Sequence, residues 1–217
     1  VLTGAGVSAE SGVPTYRDSK GQWQRKQPVT HQEFMADHSS RQRFWSRNMV
    51  GWRFMVEAQP NNAHQALVQL EELGVISCLV TQNVDGLHQR AGSRNVIDLH
   101  GRVDTLSCMA CGMQYPRAPL QIWLEDHNPE YALLAGGIAP DGDADIDHLD
   151  YSSMEIPDCQ HCGGIIKPNA VFYGDSIPKQ RVTQAEQAMQ GAAGLLVVGS
   201  SLMTYSGYRF CLWAQRQ

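Results

Sequence analysis

The sequence has no apolar run near the roughly 20 residues that a membrane-spanning helix needs, so no transmembrane segment is expected. It has no excess of positive charge either: 17 Lys and Arg stand against 22 Asp and Glu, a net charge of −5. A general nucleic-acid surface is therefore not expected, because phosphate binding draws on a basic face. A local basic patch stays open: Arg41, Arg43, Arg47 and Arg53 cluster in one segment, and most of them are read as a solvated helix face. There is no basic n-region at the start and no initiator Met. No internal repeat or low-complexity linker is evident. The chain opens inside an apparent strand and stops inside an apparent helix. It is read as a fragment lacking both ends.

What is present fits a folded α/β protein. Hydrophobic residues make up 42% of the 217, enough for one large domain or a domain with a small insert. Ala63, Ala66, Leu67, Leu70 and Leu73 recur at helical spacing; Asn61 or Asn62 can cap that helix and Gly74 can end it. The compact run Val75-Ile76-Ser77-Cys78-Leu79-Val80-Thr81 then reads as a buried strand. A helix over 179–189 and a strand at Leu195-Leu196-Val197-Val198 repeat the alternation, which predicts a parallel sheet covered by helices. Between Cys108 and Cys162 the alternation stops, and a small inserted domain is expected. Its acidic run at 141–147 has Ile146 where an EF-hand needs Gly, and Ser152 where it needs Glu, so it is read as a solvated loop.

Six cysteines are present. Four form the pairs Cys108/Cys111 and Cys159/Cys162, each Cys-x-x-Cys. Four thiolates fill a tetrahedral zinc shell and leave no open position, so the site is structural rather than catalytic. A redox pair is the competing reading. Cys78 and Cys211 lie in apolar runs and are expected to be inert.

Several polar groups fall at expected strand ends. Gly4-Ala5-Gly6-Val7-Ser8-Ala9 fits G-x-G-x-x-G/A, the turn that lets a backbone approach a pyrophosphate; ordinary tight turns share it. The acidic residue usual about 20 positions later is missing, so a dinucleotide here is not held in the dehydrogenase manner. Gly12-Val13-Pro14-Thr15-Tyr16-Arg17 is a shaped loop with one fixed cation, for phosphate or for a surface ion pair. Gln82-Asn83-Val84-Asp85 can hydrogen-bond a carboxamide and ribose hydroxyls, or form an Asx turn. His100-Gly101 offers a general base or a structural histidine. Gly199-Ser200-Ser201 can approach a phosphate or make a plain turn. Val171-Phe172-Tyr173-Gly174-Asp175 is extended, and Val171 and Phe172 either line an apolar channel or belong to the core.

In this order and spacing these pieces resemble the sirtuin family over nearly the whole chain. Tyr16, Ala-Gly-Ser-Arg at 91–94, Ala-Pro-Asp-Gly-Asp at 139–143 and the segment 205–210 resemble its class II, mitochondrial-type and bacterial branch. The resemblance implies a Rossmann-like parallel sheet with helices on both faces, plus a small zinc-ribbon insert. The implied domains are residues 1–102 for NAD binding, 103–166 for zinc, and 167–217 as the truncated continuation of the first. It implies an NAD-dependent protein-lysine deacylase that passes the acyl group to ADP-ribose and releases nicotinamide. Pyrophosphate would meet Gly4, Ala5, Gly6, Ser8, Pro14, Thr15, Tyr16, Arg17, Gly199, Ser200 and Ser201. Gln82, Asn83, Val84 and Asp85 would hold the nicotinamide and its ribose, with Asn83 and Asp85 serving catalysis. His100 would be the general base. Val171, Phe172, Tyr173 and Gly174 would take the acyl-lysine, which would enter between the two domains. Zinc would be bound by Cys108, Cys111, Cys159 and Cys162.

Protein mono-ADP-ribosylation and a catalytically silent, zinc-stabilised NAD-binding module stand as the other readings. Acyl-lysine proteins are the expected partners, with neither nucleic acid nor membrane. The expected state is a monomer in a bacterial cytoplasm, or in the mitochondrial matrix if the source is eukaryotic. Arg25 and Lys26 are candidates to favour acidic acyl chains, solvated charge being the competing reading. Without the strands that follow residue 201 in the family, weak NAD binding or poor folding is expected of the isolated fragment.

Overall fold

The computed structural model of the chain describes residues 1–15, 22, 28–134, 143–144 and 150–216. The elements run β1 (Leu2–Thr3), a 3-10 helix (Ala5–Ser11), α1 (His31–Ala36), α2 (His38–Glu57), α3 (Asn62–Glu72), β2 (Leu79–Thr81), α4 (Leu87–Ala91) and β3 (Val96–Asp98). They continue with β4 (Gly101–Cys108), β5 (Gln114–Pro116), α5 (Arg117–His127), α6 (Pro129–Ala132), β6 (Ile166–Ala170), α7 (Lys179–Gln190), β7 (Val197–Val198) and α8 (Tyr205–Ala214). Among the described residues no helix is long and apolar enough to cross a membrane.

Two compact units form. One comprises Val1–Arg25, Ala58–Gly101 and Ile177–Gln217; the other comprises Lys26–Glu57 and Arg102–Ser176. The division expected at 102/103 and 166/167 put residues 26–57 and 167–176 elsewhere. The reason for the difference is packing. Phe34, Phe44, Trp45 and Met49 of α1 and α2 share one core with Leu106, Leu124 and Ile166.

In the first unit the sheet order is β3-β2-β1-β7, and every pairing is parallel. The two central strands, β1 and β2, are fully buried, and the outer strands β3 and β7 are half-buried. Leu2, Val80, Leu99, Ala185 and Phe210 pack on one side with α7 and α8; Val7, Leu67, Ile76 and Leu79 pack on the other with α3. The Asn61 side chain accepts from the Ala63 and His64 N–H groups, and the His64 ring accepts from Asn61 N–H, which closes a capping box at the start of α3. Such caps contribute about 1 kcal/mol.

The strand expected over 75–81 is only Leu79–Thr81. Val75 and Ile76 donate back to the Leu70 carbonyl and so finish the helix instead. Likewise Leu195 and Leu196 precede β7 rather than join it. All four strands point the same way, so residues 4–8, 82–85, 99–100 and 199–201 gather at one carboxyl-terminal edge, where open α/β sheets bind ligands.

The second unit holds a three-stranded sheet ordered β5-β4-β6. Its helical part contradicts the expected solvated arginine face. Arg47 is buried and donates to the Ala144 carbonyl; Arg41 donates to the Phe34 carbonyl; Arg53 pairs with Glu125. A carbonyl at a helix end, or a buried carboxylate, draws in a guanidinium that a face pattern alone places in water. The acidic run is also not simply solvated: Asp143 is buried 3.8 Å from Arg47, while residues 141–142 and 145–147 lie outside the described residues.

Candidate active site and cysteine centre

The loop after β1 and the loop after β7 interlock through their backbones. Gly4 N–H donates to the Val198 carbonyl at 3.2 Å, and Gly6 N–H to the Gly199 carbonyl at 2.8 Å. A Cβ on Gly6 would stand 2.8 Å from the Gly199 oxygen. Gly199 itself has φ +61°, and a Cβ there would strike Val7 N. Glycine is needed at both positions by contact, and at Gly199 by conformation as well. Ala5 starts the 3-10 helix that follows. Pro14 and Thr15 are half-buried beyond its end, and Tyr16, Arg17, Arg25 and Lys26 lie outside the described residues. Ser200 is half-buried and Ser201 is exposed.

Beside these loops sits a connected polar set. Ser8 Oγ donates to Asp85 Oδ2 at 2.7 Å and accepts from Asn83 Nδ2 at 3.0 Å. Asp85 Oδ1 accepts from Leu87 N–H at 2.9 Å, so the Asx turn is real and coexists with the polar cluster. Val84 between them is half-buried. Gln82 donates through Nε2 to Ser200 Oγ at 2.8 Å and accepts from Thr204 Oγ1 at 3.2 Å.

His100 follows β3 and Leu99, whose N–H extends the ladder to the Thr81 carbonyl. Its Nδ1 lies 2.9 Å from the Gln82 carbonyl oxygen, and its Nε2 lies 3.1 Å from Ser206 Oγ. A carbonyl only accepts, so Nδ1 carries the proton and Nε2 presents a lone pair. Burial holds the imidazole pKa below its ordinary value; the Gln82 carbonyl opposes this, and Arg181 and Arg209 add to it. A neutral base with its unprotonated nitrogen beside the Ser206 hydroxyl at the sheet edge is thereby set up.

In the second unit, Val171, Phe172, Tyr173 and Gly174 follow β6. Phe172 packs edge-on to Phe34 at 5.4 Å and against Phe44 at 5.1 Å. Its ring is thus part of that unit's core. His31 N–H donates to the Tyr173 carbonyl and Gln32 Nε2 to the Gly174 carbonyl, which fixes the backbone there. Buried Lys167 lies 3.5 Å from Asp175, and His31 lies 3.3 Å from the same oxygen.

The four cysteine sulfurs lie within 4.8 Å of one another, with Cys108–Cys162 at 3.5 Å and Cys111–Cys159 at 3.7 Å. Zn–S bonds of about 2.3 Å in a tetrahedron put sulfurs about 3.8 Å apart, so the donor set fits zinc. The Tyr115 hydroxyl, 3.0 Å from Cys159 Sγ, pulls that thiol down to about 6. At Cys162 the Gly164 N–H pulls the thiol down, but the Cys111 and Cys108 sulfurs push it up, the net being upward to about 12. Four thiols this close ionise together only around a cation. The interleaved His161 is exposed.

Residues 4–206 match the model of the Sir2 family. The chain belongs to the Sir2 family. The family uses NAD, and the four-cysteine cluster fits a structural zinc. Among similar Sir2 proteins, the "NAD-dependent protein deacetylase" of Bordetella bronchiseptica is 54% identical over 216 residues, covering 100% of this chain and 79% of its own. "NAD-dependent protein deacetylase 2" of Bradyrhizobium diazoefficiens is 52% identical over 218 residues, covering 100% and 80%. A mutant Sir2 homologue in complex with ADP-ribose aligns at TM-score 0.72 and 34% identity, over 99% of this chain and 74% of that one. A Sir2 homologue–NAD complex aligns at TM-score 0.71 and 32% identity, over 99% and 72%.

Sequence reasoning assigned no site role to Thr3, Thr81, His64, His88 or Ser206, all of which bear on this edge of the Sir2 fold. One signal was available: Asn61-x-x-His64 is a capping pair, and its second member is a titratable ring.

Proposed function

We propose that this chain is the catalytic core of an NAD-dependent protein-lysine deacylase of deacetylase type, with acyl-lysine proteins as substrates. The observation that carries the reading is His100, held in one tautomer by the Gln82 carbonyl beside the Ser8–Asn83–Asp85 set. Bound NAD supplies an electrophilic ribose carbon with nicotinamide as its leaving group. Gly4, Ala5, Gly6, Ser8, Pro14, Thr15, Tyr16, Arg17, Gly199, Ser200 and Ser201 form the pyrophosphate-binding loops. Gln82, Asn83, Val84 and Asp85 bind and orient the nicotinamide and ribose. His100 Nε2 takes a proton from a ribose hydroxyl. Val171, Phe172, Tyr173 and Gly174 bind the acyl-lysine, on a backbone that His31 and Gln32 hold in place while the Phe172 ring packs on Phe34 and Phe44. We read the unit bearing the four-stranded sheet as the NAD-binding domain and the cysteine-bearing unit as the zinc domain. The same reading includes a monomer in a bacterial cytoplasm, without nucleic-acid or membrane partners; bacterial relatives and the net charge of −5 support it.

Mono-ADP-ribosyl transfer and a silent module are not favoured, since relatives above 50% identity carry the deacetylase name. The test is nicotinamide release from NAD and acetyl-, succinyl-, glutaryl- and lipoyl-lysine peptides. Release should need both partners and run fastest with acetyl-lysine. His100→Ala should lower the rate by about 10²–10⁴ with little change in melting. An unchanged rate in that variant refutes the role of His100, and labelled NAD transfer to protein without acyl loss replaces the reading with ADP-ribosylation.

A further inference from the structure

Behind the NAD edge two histidines are buried against each other. His64 on α3 is 0% exposed and His88 on α4 is 1% exposed; their ring centroids are 4.9 Å apart. Neither belongs to the deacylation chemistry. Each has one nitrogen engaged. His64 Nδ1 accepts from the Asn61 backbone N–H at 3.2 Å, so that nitrogen carries no proton and Nε2 does. His88 Nε2 lies 2.9 Å from Thr3 Oγ1. Thr3 gives its one hydroxyl proton to Thr81 Oγ1 at 2.9 Å, so the His88 contact is an N–H donated to Thr3. His88 Nδ1 is then bare. The two remaining nitrogens, His64 Nε2 and His88 Nδ1, have no hydrogen-bond partner among the described residues. One carries a proton and the other a lone pair, and with the rings 4.9 Å apart both imidazoles are neutral in this arrangement. A second proton on His64 would face the Asn61 N–H. A second proton on His88 would add a like charge in the interior. Burial, and then His64, push the His88 pKa down to about 3, in the direction the geometry requires. The charged groups that act on His64 are Asp85 and Arg90.

The chain of contacts continues to the site. Thr81 Oγ1 accepts from the Asn83 backbone N–H at 3.0 Å, and Asn83 Nδ2 holds Ser8, which in turn holds Asp85. We propose that His64 and His88 are positioning residues of the NAD site: an uncharged imidazole pair that, through the Thr3 and Thr81 hydroxyls, sets the place of Asn83 and Asp85. This rests on reading Asn83 and Asp85 as NAD-binding residues. The rings touch neither substrate, and their effect is confined to the cosubstrate.

The experiment compares wild type, Thr3→Val, His88→Leu, His88→Gln, the Thr3→Val/His88→Leu double variant and Asn83→Ala, all assayed by nicotinamide release with NAD and an acetyl-lysine peptide. Thr3→Val and His88→Leu should each raise the KM for NAD at least tenfold and leave the KM for peptide within twofold. The double variant should be no worse than the poorer single, because both break one chain of contacts. His88→Gln, whose amide N–H can reach Thr3, should stay within threefold of wild type. An unchanged KM for NAD in Thr3→Val and His88→Leu, with NAD binding lost in Asn83→Ala, overturns the proposal alone. Fully additive losses, or equal loss in His88→Gln and His88→Leu, overturn it as well. If His88→Leu does not fold, Thr3→Val, a near-isosteric loss of one hydroxyl, decides by the same criterion. If Asn83→Ala leaves the KM for NAD unchanged, the reading of the NAD site fails and takes the proposal with it.

Discussion

In the glycine loops of residues 4–7 and 199–200 the close contacts run from backbone to backbone. Gly6 N–H meets the Gly199 carbonyl, and the space a Cβ would need is taken by main chain. In the cysteine cluster the close contacts run from sulfur to sulfur, at 3.5 and 3.7 Å. The first region is tied together as polypeptide: Gly4 N–H, Gly6 N–H and Val7 N–H each donate to a main-chain carbonyl, those of Val198, Gly199 and Gly4. The second is four groups of one kind, which repel once ionised. The difference teaches what each ligand does. Zinc completes the fold around the cysteines, whereas the glycine loops stand ready for a cosubstrate that comes and goes.

Removing zinc is the strongest way to break this comparison. Structural zinc sites contribute on the order of 10 kcal/mol of apparent binding free energy, which is folding free energy where no site exists in the unfolded chain. Cys108→Ser, or a strong chelator, should abolish bound zinc by metal analysis and the cooperative melting of the cysteine-bearing unit. Retention of the wild-type melt without zinc would show that the thiols are held by the polypeptide after all. The loops of the first unit respond to backbone crowding instead. Gly6→Ala puts a methyl 2.8 Å from the Gly199 oxygen. Overpacking of this kind costs about 1–3 kcal/mol. A fall in melting temperature with at least tenfold weaker NAD binding, measured by calorimetry, is expected, at full zinc occupancy. Zinc loss in that variant would erase the distinction between the two regions.

The sequence made the ligand-facing residues legible because each sits in a short motif: the Gly-x-Gly turn, Gln82-Asn83-Val84-Asp85, His100 after a strand, and paired Cys-x-x-Cys. Local spacing also carried the Asn61 cap and the run of α7. What it did not carry is partnership across long separations. Thr3 and His88 are 85 positions apart, and only the parallel pairing of β1 with β2 brings their region together. The arginines of α2 have the spacing of a solvated face. The carbonyls of Phe34 and Ala144 and the carboxylate of Glu125, which capture three of them, are fixed by packing that no local pattern encodes. Phe172 could be read as channel or core with equal right until Phe34 and Phe44 were placed against it.

Acid tests both regions at once, and a difference measurement separates them. The cysteine cluster releases zinc as its thiolates take up protons. In the first unit His88 has its pKa pushed down to about 3 by burial and by His64, while in the unfolded chain it returns to about 6.5. Between these values the unfolded state binds the proton and the folded state does not. Stability from this group is therefore fully present above about pH 6.5 and declines as the pH falls toward the folded pKa. His64 and His100 are shifted in the same direction, burial being the first cause in each. Between pH 6.5 and 5, His88 alone should remove roughly 2 kcal/mol. His88→Gln does not titrate, yet it loses zinc as the wild type does. Denaturant melts of the two proteins across that range should thus diverge in favour of the variant as the pH falls, and the gap gives the histidine's share. Parallel curves would mean that His88 titrates normally in the fold, and acid sensitivity would then lie with the cysteines.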